Sequence, residues 1–167
     1  MNSPKIMIMG VGNVLLSDEG LGVRILDAFD KDALPDNVEL IEGGTAGLEL
    51  VHLIKDVDFL ILVDAVNAKS EPGSVFRFRP EDIRILPDAF EVSFHQVGII
   101  EVLNVADLLG NAPQTLIYGV QPKSLDWGME VSEEIKAVFP QLIQQIIKEI
   151  DHINATNSFM DMPPAKD

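Results

Sequence analysis

The amino-acid sequence predicts an α/β fold, a twisted and mostly parallel sheet in three layers with helices on both faces, within a single domain. Three observations predict it. The runs Lys5–Gly10 and Phe59–Val63 are apolar almost throughout, as strands covered on both faces must be. Segments with strand character alternate with segments of helical spacing, the pattern of a parallel-rich sheet with crossover helices. The chain has 167 residues, 47% of them hydrophobic, a length that suits one core and needs no staple.

The elements follow in order. Lys5 to Val11 reads as a buried strand closing in the turn Gly10-Val11-Gly12. From Glu19 to Phe29, apolar residues at Leu21, Ile25, Leu26 and Phe29 keep helical spacing, with Asp18 and Glu19 at the end where carboxylates suit the helix dipole. Val38 to Ile41 is a second strand, followed by a tight turn at Gly43-Gly44, and Ala46 to Ile54 is helical. Phe59 to Val63 ends directly at Asp64. Ser74 to Phe78 suits an edge strand or hairpin arm, with Arg77 and Arg79 turned to solvent. Pro80 to Phe90 is loop with a helical turn. Val97 to Leu109 is an apolar helix with a thin polar stripe of Glu101, Asn104 and Asp107, and Thr115 to Val120 is another strand. Ser132 is placed to cap the last helix, whose apolar stripe runs from Ile135 to Ile150 with a kink or break at Pro140. The domain spans 1–153, and 154–167, polar and carrying Pro163-Pro164, reads as a flexible C-terminal tail. There is no internal repeat and no linker.

Composition narrows the chemistry. The absence of cysteine excludes disulfides, thiolate metal sites and cysteine nucleophiles. The net charge of −15, from 27 acidic and 12 basic residues, disfavours nucleic acid. No apolar stretch approaches the roughly 18 residues of a membrane span, and the apolar run Ile6–Met9 is too short for a signal segment. A cytoplasmic home fits these features.

In open α/β sheets, ligands bind outside the carboxyl ends of the strands. The polar residues at those ends are Asn13, Asp18 and Glu19, then Glu42 to Thr45, then Asp64, with His95 before the Val97 helix and Gln121 to Ser124 after the late strand. Gly10-Val11-Gly12 lacks the third glycine of a dinucleotide fingerprint, since position 15 is Leu15, and no Gly-Lys-Ser/Thr loop exists. Ser93 has no nucleophile elbow around it. Glu19, Asp64 and His95 together would make an open site for a borderline divalent ion such as nickel or zinc, although a lone histidine such as His95 is more often structural. His52 and His152 read as structural or surface residues. Trp127 either caps the core or belongs to a groove-lining loop.

Five blocks in order complete the reading. They are Gly10 to Val23 (GVGNVLLSDEGLGV), Gly43 to Leu50 (GGTAGLEL), Asp64-Ala65, Ser93 to Gly98 (SFHQVG) and Gly119 to Gly128 (GVQPKSLDWG). On these blocks the chain resembles the hydrogenase maturation endopeptidases, which trim the large subunit of [NiFe] hydrogenases. The resemblance implies an aspartyl-type endopeptidase with a hydrogenase large-subunit precursor as partner. It implies Glu19, Asp64 and His95 as catalytic residues and metal ligands, and Glu42, Gly43, Gly44 and Thr45 as substrate-recognition residues. The metal is then the nickel already carried by the substrate, with no tightly held cofactor in the free enzyme, and a monomer is expected. The chain has Glu42 where the family usually has Asp before Gly-Gly-Thr. The alternative is a non-enzymatic, nickel-inspecting chaperone of hydrogenase assembly that uses the same three ligands.

Overall fold

The computed structural model describes residues 2–44, 47–85, 91 and 94–161, with the backbone alone for 84–85 and 94–97. Its centre is a five-stranded sheet in the order β2-β1-β3-β5-β4. The strands are β1 (Ile6–Val11), β2 (Val38–Gly44), β3 (Phe59–Ala65), β4 (Val75–Phe78) and β5 (Gln114–Val120). All neighbours pair in parallel except β4, which runs antiparallel to β5 at one edge. β1 and β3 are buried at every residue, which explains their unbroken apolar runs.

Alternate residues of each strand feed two cores. Ile6, Ile8, Ile61, Val63 and Tyr118 face α1 (Leu21–Arg24), α4 (Glu133–Lys136) and α5 (Phe139–Thr156). Met7, Met9, Leu60, Leu62 and Ile117 face α2 (Leu50–Ile54) and α3 (Phe94–Leu108). The expected three layers are therefore present.

Several elements depart from expectation for physical reasons. The helix expected over Glu19–Phe29 is a succession of short turns, with 3₁₀ geometry at Ser17–Gly20 and Ile25–Ala28 flanking α1. Gly43 and Gly44 do not form a tight turn. They continue β2, with Val11 paired to Gly44 after a bulge at Gly10/Val11. α2 is shorter than expected and begins at Leu50, and α3 begins three residues earlier than expected, at Phe94. Pro140 stands in the first turn of α5, so the predicted break falls between α4 and α5, where the missing N–H of proline costs nothing.

Arg77 does not face solvent. It lies opposite Tyr118 on the α5 side of the sheet and pairs at 2.9 Å with the fully buried Glu149. Glu149 also accepts from the Tyr118 hydroxyl at 3.2 Å and from the backbone N–H of Met160 at 2.7 Å. Arg79 stacks its guanidinium over the Phe159 ring at 5.9 Å. α5 runs to Thr156, past the expected boundary at 153, and Phe159 is buried edge-on against Phe59 at 5.2 Å. The ordered packing thus extends through Met160, because the buried carboxylate of Glu149 draws that backbone in. Trp127 does not cap the core, since it is 83% exposed. His52 is exposed and His152 half-buried. Among the described residues no helix is long and apolar enough to cross a membrane.

Candidate active site

The strand order reverses direction at β1, whose chain goes first to β2 on one side and then to β3 on the other. The crevice at the carboxyl ends of β1 and β3 is therefore the switch point where such sheets bind ligands. Glu19 and Asp64 both belong to this end. Asp64 is the penultimate residue of β3, buried, with Oδ1 accepting from the Ala65 N–H at 2.8 Å. It shares the pleat face of Leu60 and Leu62, which is the α3 face. Glu19, half-buried, rides on the 3₁₀ turn above β1.

Two glycines let the turn that carries Glu19 pack against the ends of β1 and β3. Gly12 has φ +135°, and a Cβ there would strike the Glu19 carbonyl. A Cβ at Gly22 would strike the carbonyl of Val63, the neighbour of Asp64. Only glycine lets the turn carrying Glu19 settle directly on the strand ends. His95 is placed by backbone alone. It stands in the first turn of α3, which descends to the start of β5, so that turn lies at the same end and on the same face as Asp64. Its side chain lies outside the described residues. Among the described residues no group of three His, Asp or Glu side chains stands together as a metal cluster, and the imidazole of the expected set is not among them.

Of the expected recognition residues, Glu42 is exposed and Gly43 buried at the end of β2, while Thr45 lies outside the described residues. Gly10 pairs with Glu42 and Val11 with Gly44, so this segment borders the same crevice from the sheet edge.

Asp18 plays a part that the helix-dipole reading missed. It is fully buried, and its carboxylate takes four hydrogen bonds: Lys123 N at 2.9 Å, Ser124 N at 3.0 Å, Ser132 N at 2.7 Å and Ser132 Oγ at 2.8 Å. Ser132 occupies the cap position of α4, but its hydroxyl serves Asp18 and not the helix. Burial alone would raise the Asp18 pKa, yet the hydrogen bonds from Ser132, Ser124 and Lys123 outweigh it and hold the carboxyl below its ordinary value. One residue before Glu19, then, the chain is locked to the loop after β5. The only sequence signal for this was Asp18 beside Glu19. Its partners lie more than a hundred residues away.

Comparison with known proteins agrees with this geometry. The hydrogenase maturation protease family profile matches residues 23–149. The chain belongs to the hydrogenase maturation protease family. Asp64 and His95 lie inside the matched segment, and Glu19 precedes it by four residues. The hydrogenase 2 maturation protease of Escherichia coli is 37% identical over 148 residues, covering 86% of this chain and 88% of that protein. The hydrogenase expression/formation protein HupD of Rhizobium leguminosarum bv. viciae is 38% identical over 149 residues, covering 87% and 74%. Among solved structures, the hydrogenase maturating endopeptidase HybD of E. coli superposes with a TM-score of 0.79 at 35% identity, covering 89% of this chain and 93% of that one. The chain is accordingly a maturation endopeptidase, which favours the peptidase over the non-enzymatic chaperone.

Proposed function

We propose that this maturation protease removes the C-terminal extension of a hydrogenase large-subunit precursor, recognising the nickel already installed in that substrate through Glu19, Asp64 and His95. The observation that carries the reading is the convergence of the Glu19 turn and Asp64 at the switch point, enforced by Gly12 and Gly22, with the first turn of α3 beside them. Two carboxylates and an imidazole suit a borderline cation. A ligand set that meets the nickel only when the precursor is loaded makes specificity a difference of two binding energies. Glu19, Asp64 and His95 would hold the substrate's nickel, which would supply Lewis-acid polarisation of the scissile carbonyl. A carboxylate of the site takes the proton of the attacking water, the water oxygen bonds to the carbonyl carbon, the C–N bond breaks, and the proton passes to the leaving amine. Glu42, Gly43 and Gly44, at the end of β2, border the approach of the precursor segment.

The proposal includes a monomeric, cytoplasmic enzyme with no resident cofactor and no membrane or nucleic-acid partner; the net charge of −15 supports the last point. The test is incubation with nickel-loaded and nickel-free precursor, read by intact mass. A shortened product is expected only with nickel, and Glu19→Gln and Asp64→Asn should each lower the rate by at least about a hundredfold while far-ultraviolet circular dichroism stays unchanged. Equal cleavage of both precursors would remove the nickel checkpoint, and full activity in both variants would remove the site assignment.

A further inference from the structure

Four large apolar side chains stand exposed around the loop that locks Asp18. Trp127 is 83% exposed, Met129 64%, Leu125 51% and Leu15 47%. They belong to one stitched surface. Leu16 pairs in parallel with Gly128, Gly128 N donates to the Leu15 carbonyl at 2.9 Å, and Ser17 N donates to the Gly128 carbonyl at 2.8 Å. Ser17 Oγ donates to the Asp126 carbonyl at 2.8 Å, and Arg24 Nη2 to the Met129 carbonyl at 2.8 Å. In such a parallel pair Leu15 and Trp127 fall on one side and Leu16 and Gly128 on the other. Exposed apolar groups gathered on a hydrogen-bonded loop pair mark an interaction surface, and a pre-ordered surface loses little entropy on binding.

We propose that this surface docks an apolar, basic-flanked segment of the protein substrate next to the bond being cut, with Trp127 as the anchor. The inference rests on the proteolytic reading above. Continuity with the site is the first argument: the same loop supplies two of the N–H donors to Asp18, whose neighbour is Glu19. Charge is the second. Asp126 and Glu130 are exposed beside the apolar groups and Lys123 is paired with Glu134 at 2.6 Å, while the half-buried Arg24 guanidinium donates to the Met129 carbonyl and keeps its positive charge. These three carboxylates and two cations leave the surface negative, as is the whole chain at −15. A second copy of this chain would bring like charge against like charge, whereas a basic-flanked substrate segment complements it. Tryptophan in particular anchors interfaces through a large rigid area.

Trp127 is the sole tryptophan of the chain, so 5-fluorotryptophan gives one fluorine resonance. In the wild-type protein it should shift on mixing with an equal amount of nickel-loaded precursor, before product accumulates, and an unmoved resonance overturns the proposal. In steady-state cleavage Trp127→Ala should raise KM by about tenfold with kcat within about twofold, and Trp127→Phe should recover most of that loss. An unchanged KM, or a fall confined to kcat, overturns it. So does sedimentation showing a wild-type dimer that Trp127→Ala abolishes, because the surface would then serve self-association. If wild-type enzyme fails to shorten the precursor while the resonance still shifts, docking stands and the proteolytic reading falls.

Discussion

At the scale of single residues, the site depends on a carboxylate that does no chemistry. Asp18 faces three backbone N–H groups and one hydroxyl, all from the loop after β5 and the start of α4. Asp18→Ala leaves those buried donors without an acceptor and should cost about 3 kcal/mol, read as a lower urea midpoint at unchanged slope. Asp18→Asn keeps the shape but turns an N–H₂ toward donors, so it should recover only part of the loss. A loss below about 0.5 kcal/mol for Asp18→Ala, within the range of ordinary surface substitutions, would mean that the loop holds itself. The placement of Glu19 and Asp64 at the carboxyl end of the sheet was legible in the sequence, because Asp64 closes the apolar run Phe59–Val63 and Glu19 follows the first strand and its glycine turn. The task of Asp18 was not, since a hydrogen bond to Ser132 across 114 positions leaves no local pattern. The exposure of Trp127 was equally hidden, because an indole reads the same whether it caps a core or meets a partner.

At the scale of elements, the strands β1, β3 and β5 were readable because burial on both faces forces apolar residues at most positions. β4 was read correctly as an edge strand, but the inward turn of Arg77 and the packing of residues 154–161 were missed because both come from a buried ionic cluster. Arg77 on the edge strand, Glu149 on α5, the Tyr118 hydroxyl on β5 and the Met160 backbone meet there, so one carboxylate ties three elements. Burial, and then the Glu149 charge, push the Tyr118 phenol up to about 12 from an ordinary 10.0, against a smaller opposing effect of Arg77. The sign follows from proton binding. The folded state holds this proton more tightly than the unfolded chain, so its contribution to stability is complete below about pH 10 and is lost as pH rises toward about 12. Tyr118 is the sole tyrosine, and near-ultraviolet absorbance titrates it cleanly. Tyrosinate should appear only near pH 12, or together with unfolding, while in concentrated denaturant it should appear near pH 10. Ionisation near pH 10 with circular dichroism intact would refute the buried cluster, and Tyr118→Phe should flatten the alkaline loss of stability.

At the scale of the whole molecule, the acidic excess acts on the fold itself. With 27 acidic against 12 basic residues, the compact chain carries self-repulsion that unfolding relieves. The exposed pairs Lys123–Glu134, Lys136–Glu133 and Lys69–Glu91 contribute little each in high dielectric, so screening them removes little. The Arg77–Glu149 pair is shielded by burial and is screened much less than surface charges. The repulsion is spread over the surface at distances comparable with the screening length, about 10 Å at 0.1 M salt and about 3 Å at 1 M. Added sodium chloride should therefore weaken the repulsion more than the attraction. Raising it from about 0.05 to 0.5 M at neutral pH should stabilise the protein by about 1 kcal/mol, or about 3 °C in Tm for a chain of this size. Calorimetry or thermal circular dichroism reads this directly. A Tm that falls with salt would mean that specific ion pairs, and not diffuse repulsion, dominate the surface electrostatics. The same charge would then be too well compensated locally to favour a basic-flanked substrate over a second copy of the chain at the Trp127 surface.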